Sequence, residues 1–439
     1  MQFKKTLSVF ALAFLVISCK KDVNNGFRNP ASAHSSEVAS RWFETLTNIT
    51  REKPYVPPQT LRILSYSGLA LYESVVKGMP EHRSMYTHWT GDPIPSDDPE
   101  NYYWPAVANA AVASIAPRLM EYYGPNPHTV VMQELEQTFN NQFLNSISEE
   151  QLNNSKTLGL LVADKIFEWS KGDGTLNPNG TLAACPPYTP LGTPGSWEPT
   201  PPPFLPAAGN CQGNLRTFIP GIAEDVLPAP PPAYSTAPQS QFYQAALQVF
   251  DMRNNLQYDD QMLANSWQDL VGTNFNTPAH VVHITSKLMQ AGNINLAEAA
   301  LLFSQQTMAI SDAVAASFYS KFHYHLVRPV TYIRSVLNSP AWNSFVYTPQ
   351  HPSYSSTMVV AAAAGFKVAS LHLGENYQFS DDSHAQLYGS RSYTSFGQII
   401  NDVKTARTAS GANFVFAADA AIQQGTAVAQ RMFDLPWKK

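Results

Sequence analysis

The sequence predicts an all-α protein, and three observations carry that prediction. Apolar residues recur at helical spacing through most of the chain, no stretch sustains period-two alternation, and no unit of 20–50 residues repeats. With 439 residues, 44% of them hydrophobic, the chain has ample material for one large buried core. A net charge of −5 and only 14% charged residues leave no basic face dense enough for a nucleic-acid partner.

The first segment reads as an export signal. Lys4 and Lys5 precede an apolar stretch, 7–17, that is too short to span a bilayer as a mature helix, and Val16, Ile17 and Ser18 then lead into Cys19. A small residue before cysteine, with branched aliphatics ahead of it, is a bacterial lipoprotein cleavage box. On this reading residues 1–18 are the signal peptide, Cys19 is lipidated, 19–39 form a polar tether and 40–433 form the folded domain. The alternative is an ordinary secretory signal that happens to contain a cysteine. No later run of about 18 apolar residues follows, so the expected location is the cell envelope, with the lipid as the only membrane contact.

Residues 60–76 carry Leu61, Ile63, Leu64, Leu69, Leu71, Tyr72 and Val75 at helical spacing, and 103–122 is an alanine-rich helix. Residues 130–170 read as two helices broken near Asn153 and Asn154. From 181 to 234 the texture changes to Pro, Gly and Thr with scattered aromatics. Trp197, Phe204 and Phe218 would sit badly in a free linker, so this stretch is an ordered cap loop. Helices resume at 239 and continue through 295–324, 356–373, 393–409 and 414–433. Cys185 and Cys211 lie in the cap; in an exported protein they are expected to pair, with two free thiols as the alternative.

Lys321 and Arg328 are seven residues apart, which on one helix places both on one face, with Pro329 ending that helix. Two cations aimed the same way suit a tetrahedral oxyanion: arginine gives a forked contact and lysine a point charge. The stretch 347–358 runs straight into the apolar residues 359–364, so Ser356 marks a helix start. A serine there is ordinarily a cap, yet a helix N-terminus is also a ready anion site. Further on, Arg407 ends one helix, Ser410 and Gly411 turn the chain, and Asn413 opens the next.

These three blocks together resemble the vanadium-dependent haloperoxidases and type 2 phosphatidic acid phosphatases. The first is K-x6-R-P (Lys321, Arg328, Pro329), the second is 351–358, and the third runs from Arg407 to Phe414. In that family the second block looks like F/H-P-x-Y-x-S-G-H and the third like S-R-x-Y-G-G-I-H-F/Y. Matching on His351, Pro352, Ser353 and Tyr354 puts the family serine on Ser356, its glycine on Thr357 and its acid–base histidine on Met358. Matching on Arg407 and Gly411 puts the nucleophilic histidine on Asn413, with Ala406 where the family has serine. No residue from 353 to 364 is a histidine, so a small shift of register would not restore one. The likeness extends over nearly all of 40–433. It includes the early helix around Ser65 to Ser74, Trp197 to Pro202, Arg216 to Phe218, Trp267 to Asp269, His280, Asp312, and Asp381 to His384 with Arg391 to Tyr393.

The resemblance implies a helical bundle of the haloperoxidase and acid phosphatase type, with phosphate or vanadate held by Lys321, Arg328, Ser356, Arg407 and backbone donors. It also implies that one histidine binds vanadium or attacks phosphorus while the other moves protons, and both positions are substituted here. A carboxamide nitrogen is a poor nucleophile and a thioether carries no exchangeable proton, so the inherited chemistry is expected to be impaired. Three readings remain open at the level of sequence. One is a divergent enzyme, with His323, His325 or His351 as a stand-in histidine. Another is a non-catalytic binder of oxyanions or organophosphates. The last is a scaffold in which Lys321 and Arg328 close onto internal carboxylates such as Asp312 or Asp419. His280 and His283, at i,i+3, are the nearest approach to a metal pair, but no carboxylate sits beside them in sequence.

Overall fold

The structure, a computed structural model, describes residues 29–439 apart from 54, 202 and 271. The cleavage box and Cys19 lie outside the described residues. Sixteen α-helices are present among the described residues. In the first half these are α1 (Glu37–Glu52), α2 (Pro57–Val75), α3 (Met85–Thr90), α4 (Trp104–Glu121), α5 (Thr129–Phe143), α6 (Glu149–Ser170) and α7 (Ile222–Asp225). They continue with α8 (Gln241–Asn254), α9 (Tyr258–Ser266), α10 (Thr277–Ala291), α11 (Leu296–Tyr324) and α12 (Pro329–Val336). The last four are α13 (Thr357–Leu373), α14 (Ala385–Tyr388), α15 (Phe396–Ala409) and α16 (Val415–Phe433).

Helix α11 is the axis of the bundle. Its 29 residues span about 43 Å at about 1.5 Å per residue. It packs on α2 along one side and on α13 and α16 along the other, while α4 and α6 close the α2 side. Helix α2 is buried from Thr60 to Val75 and α13 from Val359 to Ser370 apart from Lys367, so neither shows the one-sided pattern of a surface helix. Close approach of α16 to α13 depends on Gly425, where a Cβ would stand 2.5 Å from the Val360 carbonyl. A second, smaller core joins Phe242 of α8, Tyr332 and Ile333 of α12, Tyr354 and Phe414. It braces the loops entering α12, α13 and α16 against the main bundle.

The expected helices are present, with four differences. The break within 130–170 falls at 144–148, not at Asn153–Asn154: Ser148 caps α6 by accepting from the Gln151 N–H, and the two asparagines ride inside that helix. Two three-residue strands, β1 (Phe379–Asp381) and β2 (Arg391–Tyr393), pair antiparallel and are too short to show alternation in sequence. The last segments start later than expected, with α15 beginning at Phe396 because 391–393 is strand.

The fourth difference bears on the site. Helix α11 ends at Tyr324, where His325 takes a left-handed conformation (φ 50°) and stops it. Lys321 and Arg328 therefore do not share a helix, and Pro329 does not end one. Pro329 begins α12 as its first residue, a position that needs no N–H.

Within 181–234 Trp197 and Phe218 are buried and Cys185 is bonded to Cys211, whereas Phe204, expected to pack with them, is exposed. The cap pairs with the turn after α11 through Trp197 N–H to His325 O (2.6 Å) and Val327 N–H to Gly195 O (2.9 Å).

Candidate functional site

Lys321, Arg328, His351, Ser356, Met358, Arg407 and Asn413 all line one cavity of about 550 Å³, between α2, α11, α13 and the cap. Each segment reaches it for a local reason. Lys321 stands in the last turn of α11, and the His325 turn swings Arg328 back to the N-terminus of α12. Ser356 and Arg407 sit at the N-terminus of α13 and near the C-terminus of α15, and the Gly411 turn (φ 86°) returns the chain to Asn413. A Cβ at 411 would meet Trp342 at 2.7 Å, so only glycine fits there.

The three cations are buried, with 0%, 1% and 2% exposure for Lys321, Arg328 and Arg407. Lys321 Nζ donates to the carbonyls of Pro352 (2.9 Å) and Ser355 (2.5 Å), so it clamps the loop entering α13 and supplies charge from behind it. Arg328 donates from Nε to His351 O (2.7 Å), from Nη1 to Ala412 O (3.2 Å) and from Nη2 to His351 Nδ1 (2.9 Å). No side-chain hydrogen bond holds the Arg407 guanidinium among the described residues, and its Nε is buried without a partner. Burial, then the neighbouring cations, hold Lys321 well below its usual range. Burial and then Arg407 push Arg328 down to about 9, while Arg407 falls to about 10 through burial, opposed by Asp269.

Asn413 is fixed by its neighbours. Its Nδ2 donates to Ser353 O (3.2 Å) and its Oδ1 accepts from Ser356 Oγ (3.3 Å). Ser356 thus stands at the start of α13 without capping it, and the N–H groups of Thr357 and Met358 have no protein partner among the described residues. These free donors and the helix dipole face the same end of the cavity as the cations. Ser353 Oγ is also buried without a partner.

Of the three stand-in histidines, only His351 reaches the cavity. His323 is exposed and stacks on Tyr319, and His325 bonds Tyr188 Oη through Nδ1 (2.8 Å). The carboxylates that a closed scaffold would use are occupied elsewhere. Asp312 accepts from the Phe218 and Ile219 N–H groups (both 2.8 Å), and Asp419 pairs with Lys404 (2.5 Å). His280 pairs with Asp381 (2.9 Å), and His283 bonds Thr47 Oγ1 (3.1 Å).

Sequence reasoning named Asp269 within the family likeness but gave it no role at the site. It lines the cavity, is raised by burial, and accepts from Thr277 N–H (2.8 Å) as it starts α10. Sequence reasoning missed an outer polar ring at the far end: Arg62 with Asp173 (2.7 Å), and Arg216 with Tyr66 Oη (3.0 Å). Those residues are far apart in the chain, and nothing local marks them as partners.

Residues 301–437 match the family model described as the VCPO second helical-bundle domain. That region holds every cation of the cavity's inner end. The chain has the fold of the vanadium haloperoxidase superfamily. A bacterial vanadium-dependent iodoperoxidase superposes with a TM-score of 0.80 at 24% identity, covering 91% of this chain and 96% of that one. A holo bacterial vanadium-dependent chloroperoxidase gives 0.67 at 15% identity over 91% and 94% of the two chains. An apo form of such a chloroperoxidase gives 0.63 at 16% over 88% and 98%. No curated protein matches the chain by sequence. The haloperoxidase fold thus extends over the cap and the early helices as well as the matched domain.

Proposed function

We propose that this haloperoxidase-fold protein binds a tetrahedral oxyanion, phosphate or vanadate, at the inner end of the cavity, with the family's histidine chemistry impaired. The observation that carries the reading is Arg407: among the described residues its buried guanidinium has no hydrogen-bond partner, and neither it nor the buried Lys321 and Arg328 beside it is ion-paired to a carboxylate. An isolated buried cation is costly, and an anion in the cavity would offset that cost. Arg407, the open N–H groups of Thr357 and Met358, and Ser356 make a donor set that fits an oxyanion. The same set does not fit covalent attachment of vanadium, because the only nitrogen ligand at the third block is the engaged carboxamide of Asn413. Met358, in turn, supplies no proton for turnover.

The sequence also supports an envelope lipoprotein anchored at Cys19. A Cys19→Ser chain should lose lipid labelling and fractionate with soluble proteins; unchanged membrane fractionation would count against the anchor. The oxyanion reading is tested by calorimetric titration of the purified protein with orthovanadate and with phosphate, in wild type and Arg407→Ala. Micromolar binding lost in the variant supports it, and absence of binding to wild type sinks it. A vanadate-dependent bromination rate above a heat-killed control would instead show that catalysis survives.

A further inference from the structure

The cationic end has two approaches, and they differ in chemistry. One is the length of the cavity itself. Along α11 its floor runs from Ser311 through Val314, Ala315 and Phe318 to Lys321, about 15 Å at about 1.5 Å per residue. Val314, Ala315 and Phe318 are buried and apolar, and Leu61 of α2 and Leu215 of the cap face the same space. A hydrated oxyanion taking this route would shed water against walls that offer it little in return, which is costly.

The other approach starts from a second, smaller pocket of about 240 Å³ between the cap and the loop 343–350. It lies beside Arg328: Val330, one of its walls, is two residues further along α12, and Gln350 precedes the His351 that Arg328 grips. Asn343, Ser344, Thr348 and Gln350 give it polar walls. Among the described residues Tyr347 alone lines both this pocket and the large cavity, so its side chain is the partition between them. It stands near enough to Arg328 for its phenol to favour the charged guanidinium.

The loop that carries Tyr347 is braced, and the ring is not. Ser344 Oγ donates to Val346 O (2.7 Å) and pairs with Thr348 Oγ1 (2.8 Å), while Phe345 N–H donates to Ser410 O (2.7 Å). Gln350 O accepts from Ala208 N–H of the cap (2.8 Å). Tyr347 is 58% exposed and its side chain has no hydrogen-bond partner among the described residues, so the ring can change rotamer without moving the loop. Beside it, Gln350 Oε1 is buried without a partner. A dry seal would leave that oxygen uncompensated, whereas a wetted passage satisfies it. We propose that Tyr347 is a gate through which small hydrated oxyanions pass between the outer pocket and the cationic end, in preference to the apolar length of the cavity. This rests on the oxyanion reading and adds a route to it. Tyr347 stands in the path and not in the donor set, so it governs how fast the anion exchanges and not how tightly it is held.

Phosphorus-31 exchange NMR of the full protein with inorganic phosphate reads the entry and exit rates, and calorimetry reads Kd. Tyr347→Ala should raise both rates by about tenfold and leave Kd within about twofold, because a gate changes passage and not the bound state. Tyr347→Trp should slow both rates together. Ala315→Phe, which fills the apolar stretch, should leave both as in wild type. Rates unchanged in Tyr347→Ala, or slowed in Ala315→Phe, would overturn the gate and leave the oxyanion reading standing. A faster exit with unchanged entry, and so a weaker Kd, would make Tyr347 a contact of the bound anion and overturn the gate as well. Phosphate that fails to bind wild type would overturn the oxyanion reading itself. Tyr347 lies at the surface, so Tyr347→Ala decides the matter even if Ala315→Phe folds poorly.

Discussion

Arg328 grips His351 twice, through Nε to its carbonyl (2.7 Å) and through Nη2 to its Nδ1 (2.9 Å). A guanidinium only donates, so Nδ1 must accept, and the neutral ring carries its proton on Nε2. Burial, with Lys321 and Arg328 behind it, holds His351 well below the usual histidine range. The histidine is therefore a neutral Nε2–H donor at the cavity wall. Nitrogen-15 NMR at pH 6 should show His351 neutral with Nδ1 unprotonated, and a doubly protonated ring there would contradict this arrangement.

Arg407→Met should raise the melting temperature in phosphate-free buffer. It replaces a desolvated cation, without a hydrogen-bond partner among the described residues, with an apolar chain of similar reach, and so removes the cost of burying that charge. The same variant should lose the stabilisation that phosphate gives to wild type, about 2.7 kcal/mol at a hundredfold excess over Kd. Thermal scans with and without phosphate read both effects. A destabilised variant that still responds to phosphate would contradict the prediction.

Much of the fold was legible because buried helices leave dense apolar runs, as in 357–373. The site was legible in part. Lys321, Arg328, Ser356, Met358, Arg407 and Asn413 do meet, although the reasoning that placed Lys321 and Arg328 on one helix face was wrong. The left-handed turn at His325 has no glycine to announce it, and the chain between the cations is a hairpin held by the cap. The same limit hid the site role of Asp269 and the Arg62–Asp173 pair, whose partners lie far away in sequence. The strands 379–381 and 391–393 were too short to carry a period.

Asn413→His should favour vanadate over phosphate, by about tenfold or roughly 1.4 kcal/mol, because an imidazole nitrogen can bond vanadium where a carboxamide does not. Bromination should stay flat in that single variant and rise only when Met358→His is added, since proton transfer is missing until then. Competition calorimetry and a bromination assay check the two halves separately.

Stability should fall as pH rises from about 4 to about 7, partly through Asp312. Burial pushes its carboxyl up to about 7, against the pull of the Phe218 and Ile219 N–H groups. An unfolded aspartate titrates near about 3.9, so across this window the native state keeps a proton that the unfolded chain has lost. Asp312→Asn should flatten the profile by up to roughly 1.4 kcal/mol per pH unit. Urea unfolding at pH 5 and pH 7 measures it, and parallel profiles for the two proteins would refute it.

Replacing both Cys185 and Cys211 with serine opens a loop whose ends are 26 residues apart. On the chain-entropy argument this should destabilise the protein by about 3–4 kcal/mol. Chemical denaturation of wild type and the double variant gives the difference, and a loss under about 1 kcal/mol would show the cap to be held without the bond.

The turn between α11 and α12 decides how the cationic cluster tolerates change. Because His325 stops one helix and Pro329 starts the next, the spacing of Lys321 and Arg328 is a matter of loop length, not of helical period. Substitutions along either helix leave that spacing untouched. A single added residue between 325 and 328 would keep both helices and both charges yet separate the two cations, so insertions and deletions threaten this site more than point changes do.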